Sequence, residues 1–413
     1  MTRVLVIIPA GEVYDHDCVR WYRASDVQRS IDHYHNIGDA FVHDSSLKLF
    51  DFDELKAHDI SKFDPDEMAR YNEEYDFCFL RGSNYINDSM NWLKTLEFIE
   101  ALRIPVLAFG IGAQAPSEGP LILSEETKKV LRAISDRCVS LGVRGSYTAQ
   151  VLWDVGVKNT RIIGCPTLFR ARNPNLRIDL PPLEEIKSVG YTLRREVSGS
   201  YSPDIQRYLD FQRETIIDMD RRFDVTVMAQ GEIEEKKMVI GTDEQRAEAE
   251  AQLVERGWLG DEADPVRRLY REKLFYSDTV ADYDAIARQQ DFVIGFRLHG
   301  NLISLSNGVP SVYFTYDSRT SEFVETFGIP AHDVYSDEPF RLEEFWDQAR
   351  FERFNRTYYE RYREMRQFLE ENRIPHRLPL QTKSAKAGKA PSPEPVKAPV
   401  DEAPQPEALK NVA

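Results

Sequence analysis

Asp291-Phe-Val-Ile-Gly-Phe-Arg-Leu-His-Gly-Asn301 is an apolar, strand-like run that ends abruptly in Arg297, His299 and Gly300 and passes through a helical Leu302–Asn307 to Gly308-Val-Pro310. A buried strand that leads straight into a helix, with no hairpin turn between them, is the start of a βα unit, and such units build parallel sheets. The turn itself carries chemistry. Arg297 offers a planar fork to a carboxylate or phosphate, His299 can donate or shuttle a proton, and the amides that open the next helix add positive partial charge. The bland alternatives stand beside this reading: Arg297 in an interdomain salt bridge, His299 as a satisfied packing residue.

Working outward, the same grammar recurs. Val4–Ile8, Phe77–Arg81, Val106–Phe109, Cys138–Val143 and Thr160–Ile163 read as strands of one α/β series, and Ser188–Leu193, Asp224–Ala229, Asp291–Gly295 and Ser311–Thr315 as strands of a second. Long helical stretches such as Asp243–Tyr276 separate the strands of the second series. Pro174, Pro181 and Pro182, with Asn173 and Asn175, mark the boundary between the two. The fold class expected is therefore α/β, two Rossmann-like domains facing a cleft: an N-terminal domain over 1–175 and a C-terminal domain over 186–345. The pattern of aromatic residues over Glu343–Asn372 predicts a closing helix, assigned to 346–380. Ligands of open sheets bind at the carboxyl ends of the strands, so the loops there hold the functional residues.

The 413 residues suffice for two full-sized cores, and 42% hydrophobic with 30% charged residues is a globular composition. The formal net charge of −16 argues against nucleic acid and against anionic membrane surfaces as partners. No stretch approaches the roughly 18 apolar residues that a membrane span requires, and Val4–Ala10 reads as a strand and not a signal peptide. Cys18, Cys78, Cys138 and Cys165 form no CxxC and are taken as reduced thiols in the cytoplasm. From 381 to 413 the chain holds six prolines, seven alanines, five lysines and four acids without apolar periodicity, the composition of a disordered Pro/Ala-rich tail.

Three further motifs stand at strand ends. Val139-Ser-Leu-Gly-Val-Arg-Gly145 places Arg144 after a strand and before a helix over Ser146–Val155, so that Arg144 and Arg297 can face one another across the cleft. Two opposed guanidinium forks suit a small dianion with separate carboxylate and phosphate groups; a local cap or pair is the alternative for Arg144. Phe109-Gly-Ile-Gly-Ala-Gln114 supplies Gly110 and Gly112 for close approach, but its spacing is not the dinucleotide fingerprint, and it reads as a tight cleft loop. Asn36-Ile-Gly-Asp39 precedes a helix over Ala40–Phe50, where Asn36 or Asp39 can cap it while Gly38 admits a ligand. His16, His33, His35 and His43 lack zinc spacing, and the pairs Asp15/Asp17, Asp51/Asp53, Asp64/Asp66 and Asp218/Asp220 arise by chance in so acidic a chain, so no metal is expected.

Taken in order, Asn36-Ile-Gly-Asp39, the Phe109-Gly-Ile-Gly-Ala loop, Val143-Arg144-Gly, Gly164-Cys-Pro-Thr-Leu168, Arg297-Leu-His-Gly-Asn with Gly308-Val-Pro310, and Tyr316-Asp317-Ser-Arg-Thr320 resemble the polysaccharide pyruvyl transferase family over roughly Met1 to Pro330. The resemblance implies a GT-B-like arrangement and transfer of the pyruvyl group of phosphoenolpyruvate to a sugar of a bacterial exopolysaccharide or cell-surface glycan, usually as a ketal. By position it assigns Arg144, Arg297 and His299, with Leu298 between the latter two, to the donor. Asn36, Gly38, Asp39, Gly110, Gly112, Gly300 and Asp317 are taken as substrate-binding residues. His299 is the candidate acid, and Asp317 or Glu322 the candidate base, with a structural salt bridge to Arg319 as the alternative. Phosphoenolpyruvate is then a co-substrate with no further cofactor. The acceptor is a sugar or lipid-linked oligosaccharide, and the site of action is cytoplasmic, with peripheral contact to membrane-bound polysaccharide assembly machinery. The long acidic Gly231–Tyr276 segment, the extended Glu12–His35 lead and the tail depart from the family pattern. A nucleotide-sugar glycosyltransferase of the same architecture and a non-catalytic anion-binding component of such machinery are the competing functions.

Overall fold

The computed structural model describes residues 1–381 apart from 8–10, 12, 15–18, 21–25, 61–62, 88–92, 116–118, 198 and 200–201. The tail from 382, Cys18, His16 and the Asp15/Asp17 pair lie outside the described residues. In chain order the first half comprises β1 (Arg3–Ile7), β2 (Val13–Tyr14), β3 (Val19–Arg20), α1 (Val27–Asp32), α2 (Ile37–Leu49), β4 (Glu54–His58), α3 (Pro65–Glu74), β5 (Phe77–Leu80), α4 (Leu93–Ala101), β6 (Val106–Ile111), α5 (Glu125–Ser135), β7 (Leu141–Val143), α6 (Ser146–Asp154) and β8 (Thr160–Ile162). The second half comprises β9 (Ser188–Thr192), α7 (Ile205–Arg222), β10 (Asp224–Met228), α8 (Ile233–Ile240), α9 (Asp243–Glu255), α10 (Pro265–Glu272), β11 (Leu274–Phe275), α11 (Val280–Arg288), β12 (Phe292–Gly295), α12 (Leu298–Ser306), β13 (Ser311–Thr315), α13 (Ser318–Phe327) and β14 (Ala331–Asp333), followed by α14 (Leu342–Phe345) and α15 (Gln348–Glu371).

Each half is built on a parallel six-stranded sheet. The orders are β4-β1-β5-β6-β7-β8 and β11-β10-β9-β12-β13-β14. Renumbered within its own half, the second sheet runs 3-2-1-4-5-6, the doubly wound Rossmann order, with its switch point between β9 and β12. The first has its switch point between β1 and β5. The strands are parallel because helices return the chain, and burial on both faces explains their continuous apolar runs, such as the wholly buried Phe292–Gly295 and Ser311–Thr315.

Several edges differ from the sequence reading. β4, β11 and β14 are additional strands at sheet edges. The helix expected over Ala40–Phe50 begins at Ile37, capped by the Asn36 side chain, which accepts from the Gly38 amide. The helix expected from Leu302 begins at Leu298, so His299 and Gly300 belong to its first turn. The closing segment breaks at Trp346–Asp347 into α14 and α15, where Asp347 caps the new helix by accepting from the Ala349 amide.

α15 packs on both halves. Its Phe368 ring stacks 6.0 Å from Phe109 of β6, and Glu364 and Glu371 pair with Arg161 of β8 at 2.6 and 2.7 Å. From the other side, its Arg353 and Thr357 lie against Gly328, the left-handed residue that ends α13. One apolar core runs from β1 and α2 through β9–β13 to α15, so residues 1–381 form one compact unit.

A buried charge cluster secures the same seam. Arg170 pairs with Asp44 of α2 at 2.8 Å and with Asp284 of α11, and all three are nearly inaccessible. Removing Arg170 would leave the buried Asp44 and Asp284 side by side with only the more peripheral Lys48 and Arg288 to balance them. Arg170→Ala is expected to cost about 3–5 kcal/mol in urea unfolding, and a loss below about 1 kcal/mol would show that the cluster does not tie the halves.

Candidate functional site

The carboxyl ends of the two sheets meet. The loop after β6 touches the start of α13 at three places: the Ala115 amide donates to Ser318 Oγ at 3.0 Å, Ser318 Oγ donates to the Ala115 carbonyl at 2.8 Å, and Gln114 Nε2 lies 3.4 Å from Asp317 Oδ2. Around this seam stand the residues singled out in the sequence.

Arg144 follows β7 and is 1% exposed. Its Nε donates to the Gly110 carbonyl at 2.9 Å and its Nη1 to Asn84 Oδ1, both neutral oxygens. No carboxylate forms an ion pair with it among the described residues. Burial, the largest influence, draws its pKa down, and Arg319 adds to this while Cys165 and Glu322 oppose it. An arginine stays protonated even so. Gly112 lies under its stem: a Cβ there would fall 2.6 Å from Arg144 Cδ, so a side chain at 112 would evict the arginine.

His299 opens α12, whose cap residue Arg297 lends no side chain to the free amides. Its Nδ1 faces Gly38, where a Cβ would stand only 3.0 Å away, and its Nε2 is enclosed without a hydrogen-bond partner. The Phe323 ring of α13 joins the two groups, 5.2 Å from the Arg144 guanidinium and 6.4 Å from the imidazole. Desolvation, then the charges of Arg144, Arg319, Arg81 and Arg297 in that order, hold the His299 pKa well below the usual imidazole range. These surroundings therefore favour the neutral imidazole.

Arg297 is placed differently from Arg144. It is also buried, but its Nη2 pairs with the fully buried Glu232 and its Nε donates to the Leu193 carbonyl at 3.0 Å. Its charge is balanced within the second half. Leu298 is buried beside it, and Gly300 faces the Gln230 amide, whose Nε2 has no partner. Asn36 is spent on capping α2, and Asp39 in that first turn pairs with Arg81 at 3.2 Å. Gly110 occupies an irregularity in the β6–β7 pairing. Asp317 caps α13 by accepting from the Thr320 amide at 2.8 Å and pairs with Arg319 at 3.3 Å, while Glu322 accepts from Thr148. Both carboxylates are thus occupied.

Sequence reading gave no binding role to four groups, although it named Arg319 as a salt-bridge partner. Arg81 follows β5 at the switch point of the first sheet. Arg319 is the second residue of α13, its Nη2 on Tyr316 Oη at 2.8 Å and its Nε buried and unpartnered. Arg194 follows β9 and donates to Tyr316 Oη. Asn84 accepts from Arg144 and donates to Gln114 at 2.9 Å, starting a polar chain through Asp317 to Arg319. Arginines at strand ends were a readable signal for Arg81 and Arg194, but they gave no clue to which would be left without an acid. Among the described residues no three His, Cys, Asp or Glu side chains gather as a metal set, and no helix is long and apolar enough to cross a membrane. Cys78, Cys138 and Cys165 are unpaired thiols.

A family model described as polysaccharide pyruvyl transferase matches residues 6–318. Curated proteins yield no match. Solved structures with partial likeness include a putative UDP-N-acetylglucosamine 2-epimerase from Listeria monocytogenes, at 9% identity over 92% of this chain and 99% of that one with a TM-score of 0.42. Another is an alpha,alpha-trehalose-phosphate synthase (UDP-forming) from Burkholderia vietnamiensis, at 12% identity over 90% and 99% with a TM-score of 0.39. The sheet orders, and not these likenesses, define the architecture.

His299, His332 and His376 all have depressed values, and His35 is lowered to about 4 by burial, Lys236 and His33. The unfolded chain, with histidines near 6.5, binds protons that the folded chain does not. Stability should be complete above that pH and fall as pH drops from 7 toward 5. His299→Gln should flatten the fall in thermal melting; an unchanged slope would remove His299 from the effect.

Proposed function

The chain belongs to the polysaccharide pyruvyl transferase family, and from that premise we propose that it moves the pyruvyl group of phosphoenolpyruvate to a sugar hydroxyl pair of a bacterial surface or exported glycan. The observation that carries the reading is Arg144, a buried cation with no acid of its own, beside an unpartnered imidazole nitrogen and the open amides of α12. Burying an unpaired charge costs several kcal/mol, and an anionic ligand offsets that cost. Arg144 and Arg319, with Arg297 behind them, suit the separate carboxylate and phosphate of this donor better than one compact anion.

The chemistry follows from the charges. A neutral His299 is no acid, but a dianion lodged among the arginines cancels the field that strips the imidazole of its proton. The imidazolium then protonates C3 of the enol, the methylene becomes a methyl group, and one sugar hydroxyl adds to C2 as the charge there grows. The proton of that hydroxyl replaces the one His299 gave. A second hydroxyl of the same sugar displaces phosphate, whose leaving oxygen takes the second proton, and the ketal closes. No sequential base among Asp317 and Glu322 is needed, since both are committed to structural contacts. Work on the cytoplasmic face of the membrane, on a sugar or lipid-linked oligosaccharide, belongs to the same proposal.

Calorimetric titration with phosphoenolpyruvate, and in parallel with uridine diphosphate glucose, tests the donor. Phosphoenolpyruvate should bind, and Arg144→Ala should weaken it by about a hundredfold, as losing a charge-assisted, desolvated contact does. Preference for the nucleotide sugar would replace the reading with glycosyl transfer. His299→Ala should retain donor binding within about tenfold and lose turnover by orders of magnitude; near-normal turnover would exclude it from proton transfer.

A further inference from the structure

α6, the helix that follows Arg144, begins at Ser146, and Gly145 at its cap position has no side chain to cap it. The cap comes instead from the other half of the molecule. Glu322 of α13, completely buried, accepts from the Thr148 amide through Oε1 at 2.6 Å and from Thr148 Oγ through Oε2 at 2.9 Å. Thr148 is the third residue of α6, where a capping oxygen is wanted, and the carboxylate meets the positive end of the helix dipole. The fit leaves no slack: a Cβ on Gly145 would stand 2.4 Å from Glu322 Cγ.

Thr148 carries the contact onward. Its Oγ, having donated to Glu322, accepts from the Ala113 amide at 2.9 Å. Ala113 ends the Gly110–Ala113 segment whose Gly110 carbonyl holds Arg144 Nε and whose Gly112 lies under the Arg144 stem. One residue beyond Glu322, Phe323 lies under the guanidinium. Glu322 thus fixes Arg144 from two sides, through the first-half loop that holds it and through the second-half ring on which it lies.

We propose that Glu322 is a positioning residue for the donor: by capping α6 across the seam between the halves, it sets the Arg144 fork in the orientation that binds phosphoenolpyruvate. This rests on the donor reading above. It makes donor binding dependent on a contact between halves, although neither Glu322 nor Thr148 need touch the ligand.

Glu322→Gln keeps size and loses the charge and one acceptor, Thr148→Val loses the hydroxyl relay, and Thr148→Ser retains it. Phosphoenolpyruvate affinity by calorimetry should fall about tenfold or more in Glu322→Gln and in Thr148→Val, the loss expected for a hydrogen bond to a charged group. Thr148→Ser should bind as the wild type does, and the double variant should bind little worse than either single one. The KM for phosphoenolpyruvate should rise more than kcat falls, and thermal melting reports whether each variant is folded. Folded Glu322→Gln and Thr148→Val proteins that bind phosphoenolpyruvate normally would overturn the inference while leaving the donor reading intact, and so would additive losses in the double variant. If Glu322→Gln does not fold, the Thr148→Val and Thr148→Ser pair decides alone. A wild-type protein that ignores phosphoenolpyruvate overturns both.

Discussion

A buried guanidinium must have its charge answered, and among the described residues Arg144 donates its hydrogen bonds to neutral oxygens and forms no ion pair with a carboxylate. Its position fixes much of what surrounds it. Gly112 is small because the arginine's stem occupies the space of a side chain, and Asn84 is turned toward it with its oxygen. The Phe323 ring contributes the negative face of its quadrupole. These groups lower the cost of burial without cancelling the charge, which is what separates a binding site from a salt bridge.

Arg297 shows the contrast within the same cleft. Glu232 lies against it, and Arg195 with Glu234 and Glu235 extends a network of alternating charge behind it. Such a network is self-sufficient. It holds the strand end after β12 rigid and presents the first turn of α12, with His299, at a fixed angle to α2. The two arginines thus differ electrostatically: Arg297 has its charge balanced by Glu232, whereas Arg144 has no carboxylate ion pair among the described residues.

Much of the fold could be read from the sequence, because central parallel strands buried on both faces appear as unbroken apolar runs bounded by helices. β4, β11 and β14 were not legible for the converse reason. They are edge strands, short or carrying exposed charges such as Glu54 and Lys56 in β4, and edge strands carry such residues to discourage further pairing. In the site, Arg144 was legible because it directly follows β7, and His299 because it stands four residues beyond the end of β12, in the first turn of α12. The partner of Arg297 was not, since Glu232 lies 65 residues away along the chain. Nor was the role of Glu322, set by Thr148 at a separation of 174 residues. Periodicity reports what a residue's own element does, and these contacts are properties of where two elements meet.

The position of α13 explains why site and seam coincide. Its cap and first turns supply Asp317 and Ser318 to the loop after β6, Arg319 to Asp317 and Tyr316, Glu322 to α6 and Phe323 to the space between Arg144 and His299. A helix presents residues three and four apart on one face, so 318, 319, 322 and 323 cannot be divided between separate tasks. Any movement that opened the seam would carry Arg319 and Phe323 away from Arg144 together. Conversely, a dianion bridging Arg144 of the first half and Arg319 of the second would pull the same surfaces together, since its attraction to each is strongest where water is excluded. On the donor reading, binding of that dianion and tighter contact across the seam would be favoured by the same charges.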